Sequence, residues 1–235
     1  MDKGTCTLSY IPVRKEPSET SELVTQLLFG ETYSILQKSG SWALIEMDYD
    51  NYQGWIDGKL IFPISQESYT QMKGQEITTS GKLLCTAQRE DMNGLVYLLM
   101  GSDIYGLNDR SFMLGNIQHT LSFPLALESK GGLNEKVVFS ALQLLNIPYL
   151  WGGRSSFGID CSGLVQISYK TAGIKLPRDA YQQALIGETI ASLNDVMPGD
   201  VAFFKNTDGK IIHTGLMVSP SKNCSFQWFC SHRRN

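Results

Sequence analysis

The stretch "YLWGGRSSFGIDCSGLVQ", Tyr149 to Gln166, decides how this chain is read. A glycine-rich loop with one arginine, Arg154, runs into Asp160-Cys161-Ser162-Gly163, and an amphipathic pattern starts at once. Leu164, Val165, Ile167, Ser168 and Ala172 give a broad, mostly apolar helical face, and Gly173 follows as a stop signal. Cys161 therefore falls in the first turn of a predicted helix. A thiol there meets unsatisfied backbone N–H groups and the positive end of the helix dipole, and both favour the thiolate. A thiolate exposed by such a loop suits nucleophilic acyl transfer. On the helix alone a second reading stays open, in which Cys161 is a small buried residue, as free cysteines often are.

A nucleophile needs a base, and the chain has three histidines. His119 stands in a polar stretch and reads as a surface residue, while His232 belongs to the terminal "SHRRN", which reads as disordered. His213 lies on an apolar strand, "IIHTGLMV", just past a hairpin turn. A lone strand histidine is more often structural than catalytic, but the order of a helix-start cysteine and then this histidine makes it the candidate base.

The pattern around these residues is mixed. "GGLNEKVVFSALQLLNIP" predicts a helix with Val137, Val138, Ala141, Leu144 and Leu145 on one stripe and Asn134 as N-cap. "VMPGDVAFFKNTDGKIIHTGLMV" predicts a hairpin turning at "NTDG". Helices followed by strands make residues 131–235 an α+β domain. Residues 1–63 differ: short apolar runs separated by turn residues at intervals of about 8–12 predict a small β-barrel. Residues 64–130 begin as a polar connection up to about Ser80 and then give strand-like pieces, "GLVYLLMG" foremost. They read either as a second, degenerate β-module or as a structured linker.

Composition narrows the function. With a formal net charge of -3 over 235 residues, no basic surplus exists for nucleic acid. No apolar run reaches the roughly 20 residues of a membrane span. The N-terminus lacks the apolar core of about 7–15 residues that a secretory signal needs, so a chain that starts at Met1 is expected in the cytosol, and one that has lost a leader in the periplasm or outside the cell. The five cysteines, Cys6, Cys85, Cys161, Cys224 and Cys230, are scattered and odd in number, which argues against a disulfide framework. Cys224, Cys230 and His232 lack a fourth ligand at metal-site spacing, so neither a metal nor a cofactor is expected.

"YLWGGRSSFGIDCSGLVQ", "LPRDAYQQ", "MPGDVAFF" and "HTGLMV" occur in one order over about Gly131 to Val218, and together they resemble the NlpC/p60 family of papain-like, cell-wall-peptide cysteine peptidases. Val13-Arg14, Phe29-Gly30-Glu31, Gly40-Ser41-Trp42 and Gly54-Trp55-Ile56 resemble the bacterial SH3-like module. A papain-like α+β peptidase domain preceded by one or two SH3-like β-barrels resembles the γ-D-glutamyl-diamino-acid endopeptidases of the family. That resemblance implies hydrolysis of murein stem peptides between D-Glu and the following diamino acid, with the N-terminal L-Ala free. The alternative is a family member that binds cell-wall peptides without cutting them. The Cys-then-His order favours hydrolysis over related acyltransferases.

The resemblance also implies roles. Cys161 is the nucleophile, His213 the base that later protonates the leaving amine, and the Tyr149 hydroxyl lines the site. Ser162 offers its N–H and hydroxyl to a carboxylate or oxyanion. Asp160 and Asp179 supply negative charge for the free α-amine, since an ammonium removed from water needs a carboxylate partner. Arg154 shapes the loop or pairs with a substrate carboxylate, a surface loop arginine being the other reading. Tyr52 is the candidate contact from the barrel, against the plainer reading of a barrel-surface tyrosine. Beyond Val218 the family pattern breaks. Relatives carry a polar residue about a dozen positions past the base to orient it. Here that place falls near Ser225 and Gln227, outside a recognisable family segment, so a truncated or altered C-terminus is expected.

Overall fold

The protein is described here by a computed structural model covering residues 2–91, 94–125, 131–218 and 228–229. It divides into two compact units, with the division between residues 127 and 128.

The first unit opens with strands β1 (Asp2–Thr5), β2 (Tyr10–Arg14), β3 (Leu23–Leu28), β4 (Thr32–Ser39), β5 (Trp42–Met47), β6 (Gln53–Asp57) and β7 (Pro63–Ile64). They form one seven-stranded sheet in the order β3-β2-β6-β5-β4-β1-β7. Along β5, residues Ala43, Ile45 and Met47 alternate inward, as a half-buried strand requires. They meet Ile11 and Val13 of β2, Leu27 of β3, Tyr33 of β4 and Ile56 of β6 in one apolar core. The run "LVTQLLFGETYSIL" is two strands, because Gly30 turns the chain at a φ of +80°. A side chain there would also collide with the Asp103 carbonyl, 1.8 Å from the position of its Cβ, so only glycine fits.

That close approach ties the barrel to the second set of strands in the unit. After α1 (Gln66–Lys73) come β8 (Ile77–Thr79), β9 (Leu84–Arg89), β10 (Gly94–Leu99), β11 (Asp103–Tyr105), β12 (Ser111–Leu114) and β13 (Ile117–Leu121). Four of these strands form a sheet in the order β10-β9-β13-β12, and β11 pairs with β8. The Asp103 N–H donates to the Phe29 carbonyl at 2.9 Å. The Phe29 ring enters a second core with Leu98, Ile104, Phe112 and Leu114. The polar connection of the sequence contains a helix: Ser65 caps α1 by accepting from the Ser68 N–H at 3.0 Å, and Met72 is its buried residue.

His119 is a correction. It is fully buried, because Ile117, His119 and Leu121 alternate inward on β13. Its ring stacks on Phe112, with centroids 5.0 Å apart, and meets Phe29 edge-on at 5.5 Å. Nδ1 bonds the Ile117 carbonyl at 3.0 Å, whereas Nε2 has no partner.

The second unit contains α2 (Leu133–Gln143), the short pair β14 (Arg154–Ser155) and β15 (Gly158–Ile159), α3 (Cys161–Thr171), α4 (Ala180–Gln183), β16 (Val201–Lys205), β17 (Ile211–Met217) and β18 (Trp228–Phe229). The last three strands make an antiparallel sheet in that order. Helices α2, α3 and α4 all pack on the middle strand, β17. The cap of α2 is Gly132 rather than Asn134, and the Glu135 carboxylate accepts the Gly132 N–H. Helix α3 is buried on nearly every face, with Gln166, Ser168 and Lys170 interior alongside Leu164, Val165 and Ile167. The "MPGD" turn is pinned from both sides: the Tyr169 hydroxyl of α3 donates to the Gly199 carbonyl at 2.6 Å, and the Gly199 N–H donates to the Met217 carbonyl of β17 at 2.7 Å.

The buried His119 gives the first unit an acid-sensitive point. Burial holds its ring below the ordinary histidine range, Arg89 adds to this, and the Ile117 carbonyl and Asp91 oppose it. The unfolded chain takes up the proton at about pH 6.5 and the folded chain only at lower pH, so stability falls as pH drops below that point. The expected loss is about 1.4 kcal/mol per pH unit until the folded ring also titrates. Melting of the parent should fall more steeply on acidification than melting of His119→Gln; parallel curves would contradict this account.

Candidate active site

The loop and helix start of Tyr149 to Gly163 are folded by the residues between them. The Leu150 N–H donates to the Ile159 carbonyl at 3.2 Å and the Ile159 N–H to the Pro148 carbonyl at 3.1 Å, which holds half-buried Tyr149 in a parallel bridge to Ile159, two residues before Cys161. Gly152 turns the chain at a φ of +74°, and the Asp160 N–H closes back on the Gly153 carbonyl at 3.0 Å. Helix α3 can lie against this loop only because position 163 is glycine: a Cβ there would stand 2.3 Å from the Gly153 carbonyl oxygen.

Asp160 is the N-cap of α3, and its carboxylate accepts from the Gly163 N–H at 2.7 Å. The same carboxylate accepts the Gly152 N–H at 3.0 Å and the Ser162 hydroxyl at 3.3 Å. Both its oxygens also face Arg178, with Nη2–Oδ2 at 2.6 Å and Nη1–Oδ1 at 3.1 Å. The Arg178 and Asp160 side chains are only 2% and 10% exposed. Breaking one half of such a buried pair typically costs about 3–5 kcal/mol. Arg178 is the buried partner in this cluster that sequence reasoning missed. Its signal was present in "LPRDAYQQ", but a charge beside a proline in coil reads as exposed.

Cys161 is the first residue of α3, half-buried and a free thiol. His213 lies half-buried on β17, paired across the sheet with Phe204, their rings 5.6 Å apart. The elements carrying the two residues pack against each other. Asp179 is half-buried at the cap of α4, its N–H donating to the Gln182 side chain at 3.3 Å.

Three expectations change. Arg154 is fully buried, with Nε on Gln166 Oε1 at 2.5 Å, so it shapes the loop from inside and is not a surface arginine. The Ser162 hydroxyl is committed to Asp160 and to Arg178 Nη1 at 2.8 Å, which leaves its first-turn N–H as the group able to serve an oxyanion. The Asp160 charge is balanced by Arg178, so an ammonium meets it only in competition with that guanidinium. Tyr52 belongs to the first unit and is half-buried against the barrel core. Ser225, Gln227, Cys224, Cys230 and His232 lie outside the described residues. Among the described residues, no group of three or more His, Cys, Asp or Glu is placed to hold a metal ion, and no helix is long and apolar enough to cross a membrane.

Comparison with known proteins agrees with this layout. The NlpC/P60 family profile matches residues 146–226, and the bacterial dipeptidyl-peptidase Sh3 domain profile matches residues 13–59. The chain is 30% identical over 210 residues to a gamma-D-glutamyl-L-lysine dipeptidyl-peptidase of Bacillus subtilis, covering 84% of this chain and 70% of that protein. It is 23% identical over 235 residues to the Bacillus cereus protein of the same name, covering 86% of this chain and 66% of the relative. A crystal structure of an NlpC/P60 family protein from Bacillus cereus superposes with a TM-score of 0.80 at 18% identity, over 92% of this chain and 88% of that one. The chain belongs to the NlpC/P60 family, with an SH3-like barrel ahead of the family's papain-like α+β domain.

The contact at Gly163 can be tested directly. Gly163→Ala should lower stability by about 1–3 kcal/mol, as overpacking against backbone does, and appear as a lower urea midpoint with an unchanged slope. An unaltered midpoint would mean that the loop and the helix stand further apart.

Proposed function

We propose that this protein is a cysteine peptidase of murein peptides that hydrolyses the bond between γ-D-Glu and the following diamino acid when the N-terminal L-Ala is free. The observation that carries the reading is a free thiol at the capped start of α3, on a helix packed against the strand that bears His213. The names of the two Bacillus relatives support the bond.

The chemistry follows from that arrangement. The Cys161 thiolate attacks the γ-carbonyl carbon of D-Glu, and the developing oxyanion faces the first-turn N–H groups of α3. Collapse breaks the C–N bond as His213 donates a proton to the leaving amine, which leaves a thioester on Sγ. Water then attacks the thioester as His213 takes its proton, and the C–S bond breaks to release the product carboxyl group and restore the Cys161 thiolate beside the protonated imidazole. A free α-amine is drawn by negative charge, and Asp179, half-buried at the cap of α4, supplies it.

Purified full-length chain should cleave L-Ala-γ-D-Glu-diaminopimelate or its L-Lys counterpart. Cys161→Ala should remove turnover, His213→Ala should lower it by about a hundredfold or more, and N-acetylation of the peptide should weaken cleavage. Asp179→Asn should erode the preference for the free over the acetylated peptide. Binding of the peptides by well-folded chain without turnover would replace this reading with that of a binding protein.

A further inference from the structure

Arg178 has no part in the acyl-transfer chemistry itself, yet it is bonded to the residues on both sides of Cys161 and to the loop that faces it. It holds both oxygens of Asp160 on one side and the Ser162 hydroxyl, at 2.8 Å, on the other. Nη2 also donates to the Gly153 carbonyl at 3.4 Å. The segment around Arg178 is fastened along α3. Gln166 Nε2 donates to the Leu176 carbonyl at 2.9 Å, and Gln183 Nε2 spans the Ser162 and Pro177 carbonyls at 3.0 and 2.9 Å. Arg178 is thus fixed by its surroundings as well as fixing them.

We infer that Arg178 is a positioning residue that sets the reactivity of Cys161, acting through Asp160 and the Gly153 loop. The physical reason is the order of charges along the chain. Asp160 directly precedes the thiol, so an unbalanced carboxylate there would oppose a second negative charge on Sγ. The Arg178 fork cancels that charge while leaving Asp160 free to cap the helix whose first-turn N–H groups favour the thiolate. A lysine supplies the charge but not the planar fork that meets two carboxylate oxygens, a hydroxyl and a carbonyl together. This role rests on the reading of Cys161 as nucleophile.

The test needs no substrate. Iodoacetamide alkylation of the Cys161 peptide, followed by mass spectrometry in the full chain from about pH 4 to 10, gives the midpoint of thiolate formation. Arg178→Met should raise that midpoint by about one pH unit. Arg178→Lys should recover part of the shift, and the pair Asp160→Asn with Arg178→Met should return towards the parent. If Arg178→Met does not fold, Arg178→Lys carries the comparison, and its midpoint should rise above the parent's by a smaller amount. A lowered midpoint in the parent that no Arg178 variant moves overturns the inference and leaves the nucleophile standing. A parent midpoint at the ordinary value of about 8.5 removes the nucleophile itself.

Discussion

The second unit depends on one buried carboxylate. Asp160 caps α3, receives the turning loop at Gly152, and is answered by Arg178 from beyond the far end of the helix. Three stretches separated in sequence, the glycine loop, the helix start and the "LPRD" segment, meet at that group. Replacing a buried ion pair by well-packed apolar residues is often neutral for stability. Stability alone therefore does not explain why the pair is here. Geometry does: a carboxylate accepting from backbone, hydroxyl and guanidinium donors at once fixes where the helix begins, and so fixes where its first side chain, Cys161, stands.

The same logic explains why α3 carries polar residues inside. It is enclosed by α2, the loop and β17, so its faces meet backbone edges as well as apolar side chains. Gln166 joins Arg154 of the loop to the Leu176 carbonyl, and Tyr169 holds the turn before β16. Ser168 returns its hydroxyl to the Leu164 carbonyl at 2.8 Å. A helix of leucine alone would fill this volume but withdraw the donors from the Leu176 and Gly199 carbonyls, at a cost of about 1–3 kcal/mol each.

Cys161 and His213 are singled out by sequence because thiols and imidazoles are few, and the structure sets them on two elements that pack together. The hairpin around "NTDG" announced itself through turn chemistry. The barrel was legible too, because each turn interrupts a clean alternation. The supports were not. Arg154 and Arg178 look solvated in a linear string, and only folding shows which carboxylate or amide encloses each of them. Helix α1 escaped notice because it buries a single residue, Met72, and so has no apolar stripe to read. His119 was misplaced for the opposite reason: its neighbours Gln118 and Thr120 make the stretch look polar, whereas the period-two alternation puts it inside.

His119 and Arg178 show what a sequence hides about charge. One is a titratable ring kept neutral by an aromatic sandwich with no acid in bonding contact, and the other a permanent cation admitted to the interior because two carboxylate oxygens receive it. Burial alone predicts opposite outcomes for the two side chains: an imidazole can discard its proton, while a guanidinium cannot and must bring a partner. Arg178 therefore requires an interior acid, and among its bonded neighbours Asp160 is that acid. The proposed role of Cys161 adds a demand from the other side, since a carboxylate directly before a thiolate opposes its charge unless a cation balances it. Arginine meets that condition across the whole range over which a thiolate is useful, whereas histidine would lose its charge within it.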